Sequence, residues 1–319
     1  MHLEDLRIRF HQKYQYHGLK RLIVAKRLKY LYEKRLSMKL DQIHPDVIVC
    51  TTADHIDSIV KLKGSVPLVV ESHSICLRTI EDGHCWLRRK WYRFHYLKAL
   101  SNVDVVVALT EGDATEWRKI HSHVVVIPNL VHLNDGPIST LENKRVIFVG
   151  RFEYQKRPME MIRIWEKIHP KHPDWQLDIY GEGEQLQELE AKPHSLVMNI
   201  VVHHPTDHIF DCYRESSIMV STSLFEPFGL VIPEAMSCGL PVVAYDCPYG
   251  PSSLIENGKN GFLIEQNNIS NFVDRVCMLM HDIELRRRIG KEAVLSSQKY
   301  NALNVMPLWN QLFEQLLSE

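Results

Sequence analysis

The chain has 319 residues, of which 45% are hydrophobic and 24% charged, a balance typical of a globular protein with room for two domains. The net charge of −1 divides unevenly, because residues 1–135 carry +6 and the remainder −7. This asymmetry favours two domains with different tasks and a basic face toward an anionic partner. No apolar run approaches the ~20 residues that cross a bilayer, and the acidic start is unlike a signal peptide, so we expect a cytoplasmic chain.

Cysteines and histidines invite a disulfide or metal interpretation that their spacing does not favour. The seven cysteines are scattered, odd in number and free of Cys-x-x-Cys pairs, which is typical of free thiols in a reducing compartment. His203, His204 and His208 could ligate zinc, but no cysteine or carboxylate stands at the usual ligand spacing around them. We therefore favour loop and surface histidines.

The N-terminal part of the chain has the pattern of a Rossmann-like layer. Residues 1–44 are rich in Leu, Lys, Arg and Tyr and are predicted to be helical. Short apolar runs, which are typical of buried parallel strands, then alternate with segments that suit helices. These runs are residues 47–50, 67–70, 103–108 and 124–127.

After a linker-like segment at residues 134–143, the alternation restarts. Strands are predicted at residues 146–149, 177–180, 200–203, 218–221, 242–245 and 262–264. Pro158 is well placed to begin a helix that runs to about His169. We predict an acceptor-side domain over residues 1–140 and a donor-binding domain over residues 141–299. An amphipathic helix over residues 300–319 is expected to pack back on the N-terminal domain.

Two cations follow the first strand of the second domain. Gly150 ends that strand, at the edge where ligands bind in open α/β sheets, and Arg151 and Lys156 lie in the loop after it. An arginine fork and a lysine point charge suit a diphosphate. A solvated basic loop is the alternative. Cations at a helix start oppose the helix dipole, which favours an anionic ligand there.

Two glutamates flank a predicted helix start in the segment Phe225–Pro241. Glu226 lies just before the helix, and Glu234 lies just over one turn inside it. The free N–H groups at a helix start bind anions, and carboxylates accept hydrogen bonds from vicinal hydroxyls. The pattern fits a ligand with hydroxyls at both ends and a diphosphate between them, as in a nucleotide sugar.

These motifs resemble the family 4 glycosyltransferases, which have the GT-B fold. The resemblance covers about residues 45–319 and is strongest from 145 to 265, where Glu226 to Glu234 matches the donor-site signature of the family. It implies an α/β fold in which two Rossmann-like domains face each other across a cleft. The segments Asp246–Pro251 and Asn257–Gly261 look like those of bacterial members that build surface polysaccharides.

The resemblance also implies roles for single residues. Arg151 and Lys156 would neutralise the leaving diphosphate, Glu234 would hold the ribose hydroxyls, and Glu226 would contact the sugar. His73 matches a family histidine that faces the donor sugar. The amides of Phe228, Gly229 and Leu230 would contact the sugar and the phosphates, and the loop of Gly181 and Gly183 would lie near the base. Gly150 and Val231 complete the expected donor-binding set.

The mechanism that the resemblance implies is retention at the anomeric carbon. No Asp-x-Asp occurs, so we expect neither a metal nor another cofactor, and the cations would stabilise the leaving diphosphate instead. The expected donor is a nucleotide diphosphate sugar, with UDP as the favoured nucleotide and a hexose-type sugar. The expected acceptor is a glycan or a lipid-linked sugar.

The N-terminal domain departs from the family pattern. The first strand and glycine-rich loop of the family have no counterpart, so we expect an incomplete acceptor domain. Arg88–Lys98 mixes cations with aromatic residues, which suits either an anionic membrane surface or a solvated helix that covers the sheet. No motif for nucleic acid accompanies it.

Two other functions stay open at this point. The first is a nucleotide-sugar epimerase of the same fold, and the second is a non-catalytic protein that binds a nucleotide sugar. A dehydrogenase is not favoured, because no Gly-x-Gly-x-x-Gly follows a predicted strand.

Overall fold

The computed structural model describes residues 10–51, 55–76, 86–191 and 198–318, and the chain divides into two compact units. The first unit comprises Met1–Ala108, Glu116–Val125 and Gln311–Glu319. The second comprises Leu109–Thr115 and Val126–Asn310. Each unit is built around its own sheet of the predicted α/β type, so that the fold class is confirmed.

The first unit holds a four-stranded sheet in the order β1-β2-β3-β4. Its strands are β1 Ile48–Cys50, β2 Leu68–Ser72, β3 Val105–Ala108 and β4 Val124–Val126. Its helices are α1 Gly18–Ile43, α2 Ile56–Leu62 and α3 Trp86–Leu100, preceded by a 3-10 helix at Phe10–Gln15. Strands β1, β2 and β3 pair in parallel, and the four residues of β3 are fully buried, as their unbroken apolar run predicts.

The prediction that residues 1–44 are helical is confirmed over Gly18–Ile43 and refined before it. The described chain begins with a 3-10 helix at Phe10–Gln15, and the α-helix starts only at Gly18, which has φ of 55°. A left-handed residue cannot continue a right-handed helix, so the glycine separates the two segments. Residues 1–9 lie outside the described part of the chain.

The second unit holds a six-stranded parallel sheet in the order β10-β9-β8-β5-β6-β7. Its strands are β5 Arg145–Val149, β6 Gln176–Tyr180, β7 Ile200–His203, β8 Ile218–Ser221, β9 Val242–Asp246 and β10 Gly261–Glu265. Each of these six strands begins and ends within two residues of the strand predicted from the sequence. The chain proceeds from β5 toward one edge and then from β8 toward the other, which creates a topological switch point between β5 and β8.

Helices alternate with these strands, and side chains from both faces of the sheet are buried. The helices after β3 are α4 Glu111–Trp117, α5 Pro158–Ile168, α6 Leu186–Ala191, α7 Ile209–Arg214, α8 Val231–Ser237, α9 Gly250–Leu254, α10 Ile269–His281, α11 Ile283–Ser297 and α12 Ala302–Ser318. Two 3-10 helices lie at His169–Lys171 and Gln298–Tyr300. Successive residues of β5 point to opposite faces of the sheet. Phe148 packs with Trp165 and Phe272 on one face. Ile147 packs with Ile232 and Met236 on the other face.

Arg286 is a buried cation held by carbonyl groups. It is 5% exposed, and its Nε and Nη2 donate to the Leu141 carbonyl at 3.2 and 3.0 Å. Its Nη1 donates to the carbonyls of Leu279 and of Met280, in the last turn of α10. The carboxyl end of a helix carries partial negative charge, so this turn is a suitable place for a guanidinium. Arg286 therefore ties α11 to α10 and to the segment before β5.

Replacing this cation tests its contribution to the stability of the second unit. We expect Arg286→Met to lower the free energy of unfolding by about 2–4 kcal/mol, because three buried carbonyl oxygens lose their donor. Arg287→Met is the matched control, since Arg287 is 45% exposed and forms ion pairs with Glu142 and Glu284 at the surface. Its loss should cost about 1 kcal/mol or less in a urea titration. Equal losses for the two variants would contradict a structural role of the buried cation.

Candidate functional site

Two loops leave the sheet of the second unit at its switch point. Residues 150–157 follow β5 and residues 222–230 follow β8, and these strands are parallel neighbours. The carboxyl ends of the two strands therefore lie side by side, where open α/β sheets bind their ligands. Arg151 and Lys156 lie in the first loop, and Glu226 lies in the second.

Lys156 and Glu226 meet between these loops. The Lys156 ammonium forms an ion pair with Oε1 of Glu226, and the two side chains are only 14% and 6% exposed. The Ser223 hydroxyl donates to the same oxygen at 2.7 Å. Removing either charge would leave the other one buried without its partner, so the pair is costly to break by mutation. The structure thus joins one predicted cation and one predicted acid.

The backbone of Glu226 is fixed as firmly as its carboxylate. Its N–H donates to the Pro248 carbonyl at 2.7 Å, and its carbonyl accepts from the N–H groups of Tyr249 and Gly250, each at 2.8 Å. Pro248 and Tyr249 lie in the loop after β9, and Gly250 is the first residue of α9. Gly250 has to be glycine, because an added Cβ would overlap the carbonyl oxygen of Phe228. The loop after β9 therefore supports the loop that carries Glu226.

Further hydrogen bonds tie the two loops at the switch point to each other. The Thr222 hydroxyl lies 3.0 Å from the Lys156 carbonyl and 2.9 Å from the Arg157 carbonyl, and it can donate to either. The amide of Gln155 donates to the Phe225 carbonyl at 3.0 Å. The positions of Lys156 and Glu226 are consequently coupled through the backbone as well as through their charges.

Arg151 lies apart from this pair. Its side chain is 62% exposed, and its guanidinium forms an ion pair with Glu153 at 3.1 Å and a hydrogen bond to Gln155 at 3.4 Å. The structure therefore separates the two predicted cations into a buried one, Lys156, and a surface one, Arg151. An exposed arginine held by neighbours in its own loop can turn toward a ligand at small cost.

Glu234 lies in the first turn of α8, and its environment is less polar than that of a surface acid. Burial raises the pKa of Glu234, whereas the Tyr213 hydroxyl and the charges of His132 and Lys156 act in the opposite direction. The Tyr213 hydroxyl is 3.4 Å from Oε2 of Glu234. Because Lys156 is paired with Glu226 and also influences Glu234, it lies within electrostatic reach of both predicted acids.

The predicted glycine loop after β6 packs against the loop after β5. Gly181 and Gly183 have φ values of 155° and 149°, and an added Cβ at Gly181 would overlap the Gly150 carbonyl oxygen. The N–H of Phe152 donates to the Glu182 carbonyl at 2.7 Å. The close approach of two backbones explains the glycines at 181 and 183, and it places this loop beside Gly150.

The remaining predicted donor residues surround the start of α8. Gly229 has φ of 91° and so turns the chain just before the helix. The Phe228 ring is buried and meets the Tyr300 ring edge-on, with centroids 5.3 Å apart. Leu230 is 44% exposed, and Val231 is the first residue of the helix. Only their backbone groups are suited to meet an anion, as the sequence predicts.

His73 belongs to the first unit, where it follows β2. Its Nε2 lies 3.1 Å from a carboxylate oxygen of Glu71. This hydrogen bond raises the pKa of His73, although partial burial acts against it. The side chain is 44% exposed, so the ring is accessible to a ligand.

His203, one of the three histidines considered for zinc, has a protein partner instead. Its Nε2 lies 2.8 Å from the buried carboxylate of Asp178, and its ring stacks on Tyr180 with centroids 4.2 Å apart. Within residues 10–51, 55–76, 86–191 and 198–318, no three His, Cys, Asp or Glu side chains are grouped so as to hold a metal ion.

The residues that hold the charged pair in place were not predicted from the sequence. Ser223 stands three residues before Glu226 and two residues beyond the end of β8, and this polar residue just after a strand was a usable signal. Gln155 and Thr222 act on backbone groups of the opposite loop, which no local pattern reveals. Tyr213 reaches Glu234 from another helix, so only the fold brings them together.

Family profiles match almost the whole chain. One described as "Glycosyl transferases group 1" matches residues 137–295, and one described as "Glycosyltransferase Family 4" matches residues 7–135.

Among the described residues, no helix is long and apolar enough to cross a membrane.

Two curated relatives illustrate the similarity. A Haemophilus influenzae protein named "Uncharacterized glycosyltransferase" is 32% identical over 217 residues, which cover 66% of this chain and 61% of that protein. The poly(ribitol-phosphate) alpha-N-acetylglucosaminyltransferase of Staphylococcus aureus is 29% identical over 69% of this chain and 45% of its own length. The chain thus spans about half the length of these relatives.

A solved structure shows the same fold. The crystal structure of a mutant of Staphylococcus aureus TarM, in complex with fondaparinux, alpha-GlcNAc-glycerol and UDP, superposes with a TM-score of 0.75. The match covers 88% of this chain and 59% of TarM at 23% identity.

The contact at Gly250 offers a direct test of how the site is supported. We expect Gly250→Ala to lower the free energy of unfolding by about 2–3 kcal/mol, because the added methyl meets the fixed carbonyl of Phe228. Gly258→Ala is the control, since Gly258 has φ of 81° but open space around it. It should cost about 1 kcal/mol from backbone strain alone. A Gly250 variant as stable as the Gly258 variant in thermal unfolding would show that the loops are not tightly packed.

Proposed function

We propose that this chain, which belongs to the family 4 glycosyltransferases, is a retaining, metal-independent enzyme that transfers a hexose-type sugar from a UDP-sugar. The proposed acceptor is a glycan or a lipid-linked sugar in polysaccharide biosynthesis. The observation that carries the proposal is the buried Lys156–Glu226 pair at the switch point.

Such a pair suits a ligand that brings both negative charge and hydroxyl groups. The diphosphate would take hydrogen bonds from the Lys156 ammonium, and a sugar hydroxyl would donate to the Glu226 carboxylate. Each partner would exchange its contact with the other for a contact with the ligand, so that neither is left without a hydrogen-bond partner. Arg151, at the surface of the same loop, would add a bidentate contact to the diphosphate once it turns inward.

Glu234 is proposed to hold the ribose. A carboxylate offers two oxygens to two vicinal hydroxyls, and Glu234 lies one turn inside the helix whose start would face the diphosphate. The ribose and the donor sugar would then lie at opposite ends of the ligand, with Glu234 at one end and Glu226 at the other. Gly181 and Gly183 place their loop beside Gly150, on the β6 side of the switch point.

Catalysis would depend on stabilising the leaving diphosphate. Lys156 and Arg151 supply positive charge where negative charge grows as the bond from the anomeric carbon to the phosphate oxygen breaks. The acceptor hydroxyl would attack the same face, and the departing phosphate oxygen would take its proton. The configuration is thereby retained without a covalent enzyme intermediate.

The names of the relatives are consistent with this reaction. The Staphylococcus aureus relative is an alpha-N-acetylglucosaminyltransferase, and the TarM structure contains UDP. A nucleotide sugar with an α linkage that yields an α product has reacted with retention. For the acceptor side, we propose an anionic membrane surface as a further partner, because the basic and aromatic segment Arg88–Lys98 lies within the helix α3.

Product analysis tests the reaction. The chain is incubated with a UDP-sugar and candidate acceptors, and the nucleotide and sugar products are identified. Free UDP together with a glycosylated acceptor supports the proposal. An epimerised UDP-sugar would assign the chain to an isomerase, and tight binding of UDP without turnover would make it a binding protein.

Neutralising Lys156 tests the diphosphate contact. We expect Lys156→Ala to weaken UDP binding at least about tenfold, since a charge-assisted contact is lost and Glu226 is left unpaired. Arg151→Ala should weaken binding less, because its side chain starts at the surface. Lys144→Ala, in an exposed ion pair with Asp174 before the other end of β5, is the control and should bind as the wild type does. Normal UDP binding by both Lys156→Ala and Arg151→Ala would reject the proposed phosphate site.

The raised pKa of Glu234 predicts how UDP binding responds to pH. As pH falls from 7 to 5, Glu234 takes up a proton at a higher pH than an ordinary glutamate and loses acceptor capacity for the ribose hydroxyls. UDP affinity of the wild type should therefore fall several-fold more over this range than that of Glu234→Gln. Every other titratable group of the chain and the phosphates of UDP are the same in both proteins, so the difference between them isolates Glu234. Parallel pH profiles would exclude Glu234 from the ribose contact.

A further inference from the structure

Ser223 is a buried hydroxyl to which the proposed reaction assigns no role. It lies two residues beyond the end of β8 and is 2% exposed. Its Oγ donates to Oε1 of Glu226 at 2.7 Å, and its carbonyl accepts from the side-chain amide of Gln266 at 3.3 Å. The Ser221 hydroxyl lies 3.5 Å away, beyond the usual length of an O–H···O hydrogen bond. Ser223 is thus held by the loop after β10 while it holds the carboxylate.

Ser223 and Lys156 act on the same oxygen of Glu226. Both contacts are to Oε1, and in the part of the chain that the structure describes no hydrogen bond to Oε2 is found. Because the backbone N–H and carbonyl of Glu226 are also fixed, Oε2 is the acceptor that this residue can offer to a ligand.

The two donors differ in what a ligand would do to them. The Lys156 ammonium is mobile and charged, so an incoming diphosphate would compete with Glu226 for it. The Ser223 hydroxyl is neutral and buried, so a diphosphate would not attract it in the same way. After Lys156 has turned toward the phosphate, Ser223 is, within the described ranges, the remaining side-chain donor to the carboxylate.

We propose that Ser223 is a positioning residue, which keeps Oε2 of Glu226 directed at the donor sugar while Lys156 neutralises the diphosphate. This inference rests on the proposed function. It predicts that the Ser223 hydroxyl contributes to recognition and transfer of the sugar, and that it contributes little to binding of the nucleotide. A merely structural serine would affect both to the same extent.

The experiment compares the affinities of UDP and UDP-glucose by calorimetry, together with the turnover of UDP-glucose. We expect Ser223→Ala to bind UDP within about twofold of the wild type and to lose about tenfold in kcat. The extra affinity of UDP-glucose over UDP should fall in the same variant. Ser223→Thr, which keeps a hydroxyl, should restore sugar discrimination, whereas Ser223→Cys, with a weak thiol donor, should behave as the alanine variant does.

Ser217→Ala is the matched control. Ser217 is also a buried serine beside β8, but it lies just before the strand, whereas Ser223 lies just after it. Its hydroxyl donates to the Asn143 carbonyl, at the end of β8 that is remote from Glu226. It should leave the ratio of the UDP and UDP-glucose affinities unchanged. The melting temperature of each variant is measured as well, so that a loss of folding is recognised. If Ser223→Ala unfolds, Ser223→Cys takes its place in the binding and turnover measurements.

Two results overturn the inference. One is a Ser223→Ala protein that keeps both the sugar discrimination and the kcat of the wild type. The other is a variant in which UDP and UDP-glucose affinities fall equally. A wild-type chain that binds neither ligand would instead contradict the proposed function itself, which separates the two failures.

Discussion

The site depends on one interaction, the ion pair between Lys156 and Glu226. Both side chains are withdrawn from water, and two charges in such a place are tolerated only when each is the partner of the other. Removing one charge alone would therefore be costly. A ligand with a diphosphate and free hydroxyls can replace both sides of this pair. Its diphosphate would bind Lys156, and one of its hydroxyls would bind Glu226. A neutral ligand would meet an ammonium and a carboxylate that already satisfy each other, so the pair favours anionic ligands.

The fold brings these two residues together from positions 70 residues apart in the chain. The strand order places the ends of β5 and β8 side by side, and hydrogen bonds from Gln155 and Thr222 fix the spacing of the two loops. The loops after β9 and β10 add support through Gly250 and Gln266. Two βα loops thus contact the carboxylate, and two more support the loop that carries it, which gives a well-oriented acceptor.

Much of this arrangement could be predicted from the sequence, and the parts that could not have physical reasons. The strands were predictable because both faces of the second sheet are buried, so their apolar runs are unbroken. The different environments of Arg151 and Lys156 were not, because exposure depends on the path of their shared loop. The contact of His203 with Asp178 depends on the pairing of β6 with β7, and the break before Gly18 depends on a backbone angle. Ser223 was visible in the sequence, but its partner oxygen was not.

The most direct test of the central pair is a double-mutant cycle with Lys156→Met, Glu226→Gln and the double variant, measured by the affinity for UDP-glucose. Each single change leaves a buried charge without its partner, whereas the double change removes both charges. The free-energy losses should therefore be non-additive, with the double variant losing clearly less than the sum by about 1 kcal/mol or more. Losses that add to within about 0.5 kcal/mol would mean that the two residues act independently, and the pair could not be the interaction on which the site depends.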